Sequence, residues 1–241
     1  MPGVPSSAAV RGLSGDGQYA VGSSSGSAWR WSPSGGYQTL PSPLGVTAAT
    51  RANFDGSVIV GFANHPQGGA AAAYWSGGQW TNIDDIAGSL RSSTAYGVNP
   101  AGDVIVGYAS TTQSGQMAFR WTAATGMVPI GAPDVGSIAL GVSGDGASVV
   151  GRYSAPGGLR AFYWTQELGM VDLRSHLISL GATGLEGWTL QEVTGISADG
   201  RVLVGNAFNP QGLGEGFVAV IPAPASALLL LSIPLITCRR R

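Results

Sequence analysis

Apolar and polar positions alternate over short distances along most of the chain, and glycine interrupts them often. Five segments share one pattern: an Asp-Gly turn, an apolar stretch and a closing Gly. They read SGDGQYAVG (14–22), NFDGSVIVG (53–61), NPAGDVIVG (99–107), SGDGASVVG (143–151) and SADGRVLVG (197–205). In each, the turn Gly stands 5 residues before the closing Gly, and the third copy has Ala101 in place of Asp. The closing glycines, Gly22, Gly61, Gly107, Gly151 and Gly205, are spaced by 39, 46, 44 and 54 residues. Alternation with β-branched residues predicts strands, and Asp-Gly between apolar residues predicts a hairpin.

A second signature follows each copy: AWRW (28–31), AAYW (72–75), AFRW (118–121), AFYW (161–164) and the degraded GFVA (216–219). In a strand, Phe119 and Trp121 share one face and Ala118 and Arg120 the other, so Phe and Trp should pack on a neighbouring unit. After four of these segments come a turn and a further apolar stretch: GGYQTL, GGQWTNI, TGMVPI and LGMVDL. A leading strand is expected in segments such as TAYGVN (94–99) and IALGVS (138–143), with none clear in the first copy. Three or four short antiparallel strands per repeat of about 45 residues predict an all-β, β-propeller-like fold of about five blades. An open β-solenoid or sandwich is the alternative. One insertion, LRSHLISLGATGLEGWTL (173–190), breaks the rhythm; Leu173, Leu177 and Leu180 fall on one helical face there.

Residues 222–241 follow another rule. A proline pair precedes an uncharged run, Ala225–Cys238, and three arginines close the chain. The run predicts a hydrophobic helix of about 21 Å, short against a hydrocarbon core of roughly 30 Å. Its arginines would remain on the cytoplasmic side and the propeller outside. The chain thus divides into a repeat domain, 1–221, and a tail, 222–241.

Composition narrows the function. The 241 residues include 39 Gly, carry only 10% charged residues and have a net charge of -1, with no basic footprint for nucleic acid before the last three residues. The only cysteine, Cys238, lies in the tail, so no disulfide staples the repeats. The first residues, MPGVPSSAAVRGLSGDG, carry no recognisable secretion signal, and the tail favours a start further upstream.

Candidate chemistry is sparse. His65 and His176 have no matching cysteines for zinc and are expected at the surface or in loops. Asp16, Asp55, Asp145 and Asp199 lack the spacing of calcium loops and are expected to serve their turns. Asp84 and Asp85 are adjacent and would point apart; GLGEG (212–216) has no βαβ context; no serine lies in G-x-S-x-G. Trp29, Trp31, Trp75, Trp121 and Trp164 hold a fixed place in the repeat and are expected in the core, leaving Trp80 and Trp188 for exposed contacts. No catalytic residue, metal or cofactor is assigned.

The units GISADGRVLVG and AFRWTAATGMVPIG resemble the HAF repeat family of extracellular proteins, over roughly residues 10 to 221. The tail resembles a bacterial PEP-CTERM sorting signal: Pro222-Ala223-Pro224, the apolar run, and Arg239-Arg240-Arg241. Ala223 stands where that family usually has Glu. The resemblance implies an exosortase-like membrane partner that recognises the motif and cleaves near it, among Pro222, Ala223, Pro224, Ala225 and Ser226, with the arginines as the basic stop. It also implies export to the cell surface or extracellular matrix. The function expected is a non-catalytic binding scaffold, with extracellular polysaccharide or surface proteins as partners. The alternative is a propeller hydrolase or lyase acting on extracellular glycan at the channel mouth, for which Arg30, Arg120 and Arg160 are the candidates.

Overall fold

The computed structural model describes residues 3–43, 45–83, 85–86 and 89–222. The predicted C-terminal helix, the positions Ala223, Pro224, Ala225 and Ser226, and Arg239–Arg241 lie outside the described residues. Among the described residues no helix is long and apolar enough to cross a membrane. The chain divides into two compact units, Met1–Ala139 and Leu140–Arg241.

Each repeat becomes one antiparallel sheet whose strands follow chain order. Blade one holds β1 (Ala9–Leu13), β2 (Ala20–Ser24), β3 (Ser27–Ser32) and β4 (Gly36–Leu40). Blade two holds β5 (Thr47–Ala52), β6 (Ile59–Asn64), β7 (Ala70–Ser76) and β8 (Gln79–Asn82). Blade three holds β9 (Ser89–Val98), β10 (Ile105–Thr111), β11 (Gly115–Thr122) and β12 (Gly126–Pro129). Blade four holds β13 (Ser137–Val142), β14 (Ser148–Ala155), β15 (Gly158–Thr165) and β16 (Gly169–Asp172). Blade five has three strands among the described residues: β17 (Thr189–Ile196), β18 (Val202–Phe208) and β19 (Gly214–Val220). A single parallel contact, Ala70 opposite Ser92, joins the sheets of blades two and three.

Two details differ from the sequence reading. The first copy does have a leading strand, β1; its short AVRGL segment is largely exposed, so it lacks a strong apolar signal. The Asp-Gly element is not a two-residue hairpin. It lies in a connection of six residues in blades one to three and five in blades four and five, closed in blade one by the N–H of Ser14 on the carbonyl of Tyr19 at 2.8 Å. The glycine is still required: Gly17, Gly56, Gly102, Gly146 and Gly200 all have φ between 70° and 82°.

The closing glycine has a different cause. The first strand bulges opposite it; in blade two the register shifts between Ala49 and Arg51. The bulge pushes a carbonyl into the space a side chain would need. A Cβ on Gly61 would lie 1.8 Å from the oxygen of Ala48, and one on Gly205 2.0 Å from that of Glu192.

The second signature packs on both faces. Ala118 and Phe119 point to opposite sides of β11, yet both are fully buried, because the sheet is covered on each side. Trp29, Trp75 and Trp164 are buried, while Trp31 and Trp121 are half-buried. A hydroxyl clamp repeats through the first unit. The N–H of Ala28 donates to Thr47 Oγ1 at 2.9 Å, that of Ala72 to Ser93 Oγ at 2.8 Å, and that of Ala118 to Ser137 Oγ at 3.0 Å. Each hydroxyl lies on the first strand of the next blade and is buried, so losing one would strand an interior donor.

In the second unit the insertion forms helix α1 (Leu173–Ser179). Asp172 caps it by accepting the N–H of Ser175 at 2.8 Å. Leu173 and Leu177 enter the core with Val150, Leu190, Leu203 and Phe217. Leu180 does not join them: it ends the helix and is 39% exposed, while Ala182 turns inward. Gly181, at φ 90°, makes that turn possible.

Candidate functional site

The aspartates of the repeat turns are occupied in their own loops. Asp16 Oδ1 accepts the Ser14 hydroxyl at 2.6 Å and the N–H of Gln18 at 2.9 Å. Asp145 is held in the same way by Ser143 and Ala147, and Asp199 by Ser197 and Arg201. Asp55 accepts from Ser57 instead. These bonds, the serine hydroxyl first, hold all four carboxyls below their ordinary value. The third copy, lacking the Asp, uses Asn99: its Oδ1 accepts the N–H groups of Gly102, Asp103 and Val104 at 3.0 to 3.1 Å. Among the described residues no group of three or more His, Cys, Asp and Glu could hold a metal.

The arginines considered for the channel mouth lie on third strands rather than in loops. Arg30 sits 4.7 Å from the Trp75 ring and 5.5 Å from the Tyr19 ring, with Nε donating to Gln38. That is a packing role. Arg160 donates to the carbonyl of Leu159, and Arg120 is half-buried between β10 and β12. Trp80 and Trp188 are half-buried rather than exposed. Trp80 donates its indole N–H to the carbonyl of Leu40 at 2.9 Å, and Trp188 packs on the core of the second unit. His176 is on α1, not in a loop, and stacks on Tyr163 with ring centroids 5.3 Å apart. Burial lowers its pKa.

Polar side chains converge in the first unit, where the connections of blade two leave the repeat pattern. In HPQGG, between β6 and β7, the N–H of His65 bonds to the carbonyl of Gly69, and the N–H of Gln67 donates to His65 Nδ1 at 3.1 Å. A neutral His65 therefore carries its proton on Nε2. Gly69, at φ 89°, lets this loop touch the backbone of Arg91; a Cβ there would come within 2.3 Å of the Arg91 carbonyl. Arg91 has φ 52°, a conformation uncommon for a side-chain-bearing residue. Its Nη1 donates to the carbonyl of Gln67 at 2.9 Å. Asp85 accepts the hydroxyl of Ser93 at 3.1 Å, so the carboxylate hangs from the buried clamp between blades two and three. Asn82 donates to the carbonyl of Asn64 at 3.3 Å.

His65, Gln67, Asn82, Asp85 and Arg91 line a cleft of about 210 Å³. Asp85 also lines a second cleft of about 420 Å³, with Thr111, Thr112, Gln113, Met117 and Met127 among its walls. Asp84, its sequence neighbour, lies outside the described residues. The second unit has a more apolar cleft of about 170 Å³, walled by Leu177, Leu185, Trp188, Leu190 and Phe217.

Sequence reasoning set His65 and Asp85 aside and did not single out Gln67, Asn82 or Arg91. His65 and Gln67 lie in the β6–β7 connection and Asp85 in the β8–β9 connection, while Asn82 ends β8 and Arg91 is on β9; none belongs to the repeated motif, and that is their signal.

No family model and no curated protein matches the sequence. Solved structures do match in three dimensions. A TolB protein of Agrobacterium tumefaciens superposes with a TM-score of 0.62 at 13% identity, over 88% of this chain and 76% of that one. TolB from Acinetobacter baumannii gives 0.55 at 12%, over 81% of this chain and 46% of that one. A chain of a nidogen/laminin complex gives 0.51 at 14%, over 89% and 76%. At such identities the likeness speaks for architecture and not for chemistry. What this chain shares with these proteins is the β-propeller fold.

Proposed function

We propose that this chain is an exported, non-catalytic protein of the bacterial cell surface or extracellular matrix, with the propeller as a binding scaffold. A C-terminal sorting tail of the PEP-CTERM kind directs it there. The observation that supports this reading is the position of the motif relative to blade five. Among the described residues, the last backbone bond of that blade is the N–H of Ile221 on the carbonyl of Arg201 at 2.8 Å. The motif Pro222-Ala223-Pro224 begins at the next residue. A cut among residues 222–226 would fall after β19 and leave β17, β18 and β19 whole. An exosortase-like membrane enzyme is the partner this requires. Arg239–Arg241 would hold the precursor's end on the cytoplasmic side.

The test is an intact mass of the mature protein from its native cells, with fractionation. A C-terminus among Pro222–Ser226 in the outer or secreted fraction is expected. An intact Arg239–Arg241 end in the inner membrane overturns the sorting reading.

A further inference from the structure

We propose that the first unit binds a neutral oligosaccharide across Asp85, one sugar residue in the cleft of blade two and the next in the adjoining cleft of blade three. This rests on the reading of the propeller as a binding scaffold and names its ligand.

The first cleft offers fixed donors and acceptors with cancelling charge. Asp85 spends Oδ1 on Ser93, which is 1% exposed and also accepts the N–H of Ala72; Oδ2 remains to accept. Arg91 is pinned through Nη1 and keeps its other guanidinium N–H groups. Asn82 keeps Oδ1 and one amide N–H, and His65 its Nε2. A sugar hydroxyl both donates and accepts, so neighbouring hydroxyls match such a mixed set. Other ligand classes fit worse. A phosphate or carboxylate would face the Asp85 carboxylate as well as Arg91. A divalent cation would find one carboxylate and one imidazole, short of a usual ligand set. An apolar ligand would desolvate all these groups without replacing their hydrogen bonds.

The second cleft explains why the ligand is longer than one sugar. Asp85 is shared, so the clefts adjoin. Thr112 and Gln113 supply polar contacts, and Met117, Met127 and Pro129 an apolar floor. A sugar ring has that duality, with hydroxyls at its rim and C–H groups on its faces. At about 210 and 420 Å³, the two clefts together fall within the roughly 300–1,000 Å³ of small-molecule sites.

The test titrates the full chain by calorimetry and saturation-transfer NMR. The probes are glucose, galactose, mannose and N-acetylglucosamine, their linear trisaccharides, and glucuronate. At least one trisaccharide should bind about tenfold tighter than its monosaccharide. Asp85→Asn should weaken both by about tenfold, and Gln113→Ala should weaken only the trisaccharide, by about threefold. Thermal melts check folding; if Asp85→Asn does not fold, Asn82→Ala should weaken both ligands in its place.

Three results overturn the proposal: no binding by any neutral probe, binding unchanged by these variants, or glucuronate binding tighter than glucose. Its failure is separable from that of the export reading. A secreted protein cut near Pro222 that binds no sugar leaves export standing. Sugar binding by a protein that keeps its arginines in the inner membrane leaves only this inference.

Discussion

Strands β6 and β18 carry nearly the same motif, VIVG and VLVG, and live in different surroundings. In β6, Ile59 and Val60 are both fully buried. Ile59 packs with Val21, Ala28 and Leu40 of blade one, and Val60 with Ala95, Ile105 and Phe119 of blade three. In β18, Leu203 is buried against Val150, Leu173 and Phe217, but Val202 is 38% and Val204 41% exposed. Phe208 and Val218 continue that open face. Among the described residues of the second unit no sheet is stacked on it. The motif therefore encodes a strand meant to lie between two neighbours. Whether both neighbours are present is not written in it.

The largest effect should be one that ignores this difference. Gly61→Ala and Gly205→Ala both drive a methyl into a first-strand carbonyl, at 1.8 and 2.0 Å. Each should destabilise its blade by about 3 kcal/mol or more, read as a fall in the denaturant midpoint. If Gly205→Ala proves mild while Gly61→Ala does not, the bulge of blade five is looser than described.

The valines should separate the blades. Val60→Ala should cost about 2 kcal/mol in the same assay. Val204→Ala should cost about 0.5 kcal/mol or less. Equal losses would mean that something covers the β18 face in solution.

The turns allow a finer comparison. Asn99→Ala strands three N–H donors in blade three and should cost about 2 kcal/mol. Asp145→Ala removes one exposed carboxylate from its turn and should do less. The stability from that carboxylate is complete above its unfolded pKa of 3.8 and is lost as the pH falls through the lower folded value. The Asp145 effect should therefore fade in melts run below about pH 3, whereas the Asn99 effect should persist.

The smallest signal belongs to the second unit. His176 is held neutral by burial, so its folded pKa lies below the ordinary 6.5. Its contribution is complete above pH 6.5 and declines as the pH falls through the folded value. His176→Phe keeps a ring against Tyr163 and should flatten that part of the melting curve between about pH 7.5 and about pH 5.5. An unchanged slope would assign the pH dependence to another group.

The candidate site shows where the repeat stops being a guide. Asp16, Asp145 and Asp199 recur in register, and each is absorbed by its own turn. His65, Asn82, Asp85 and Arg91 recur nowhere, and the fold gathers them around one cleft. Their meeting depends on the left-handed backbone at Gly69 and Arg91 and on the clamp through Ser93, which joins β7 to β9. None of these features has a short-range sequence mark.

By itself the sequence determined the unit of construction. Turn glycines with positive φ, closing glycines, β-branched strands and the AFxW signature act over a few residues, so their spacing reports them directly. Only the tertiary structure decided which faces of those strands are covered, that Trp80 and Trp188 lean inward, and that blade two opens a polar cleft. Burial and convergence are properties of residues distant in the chain, brought together by stacking, and a local pattern cannot carry them.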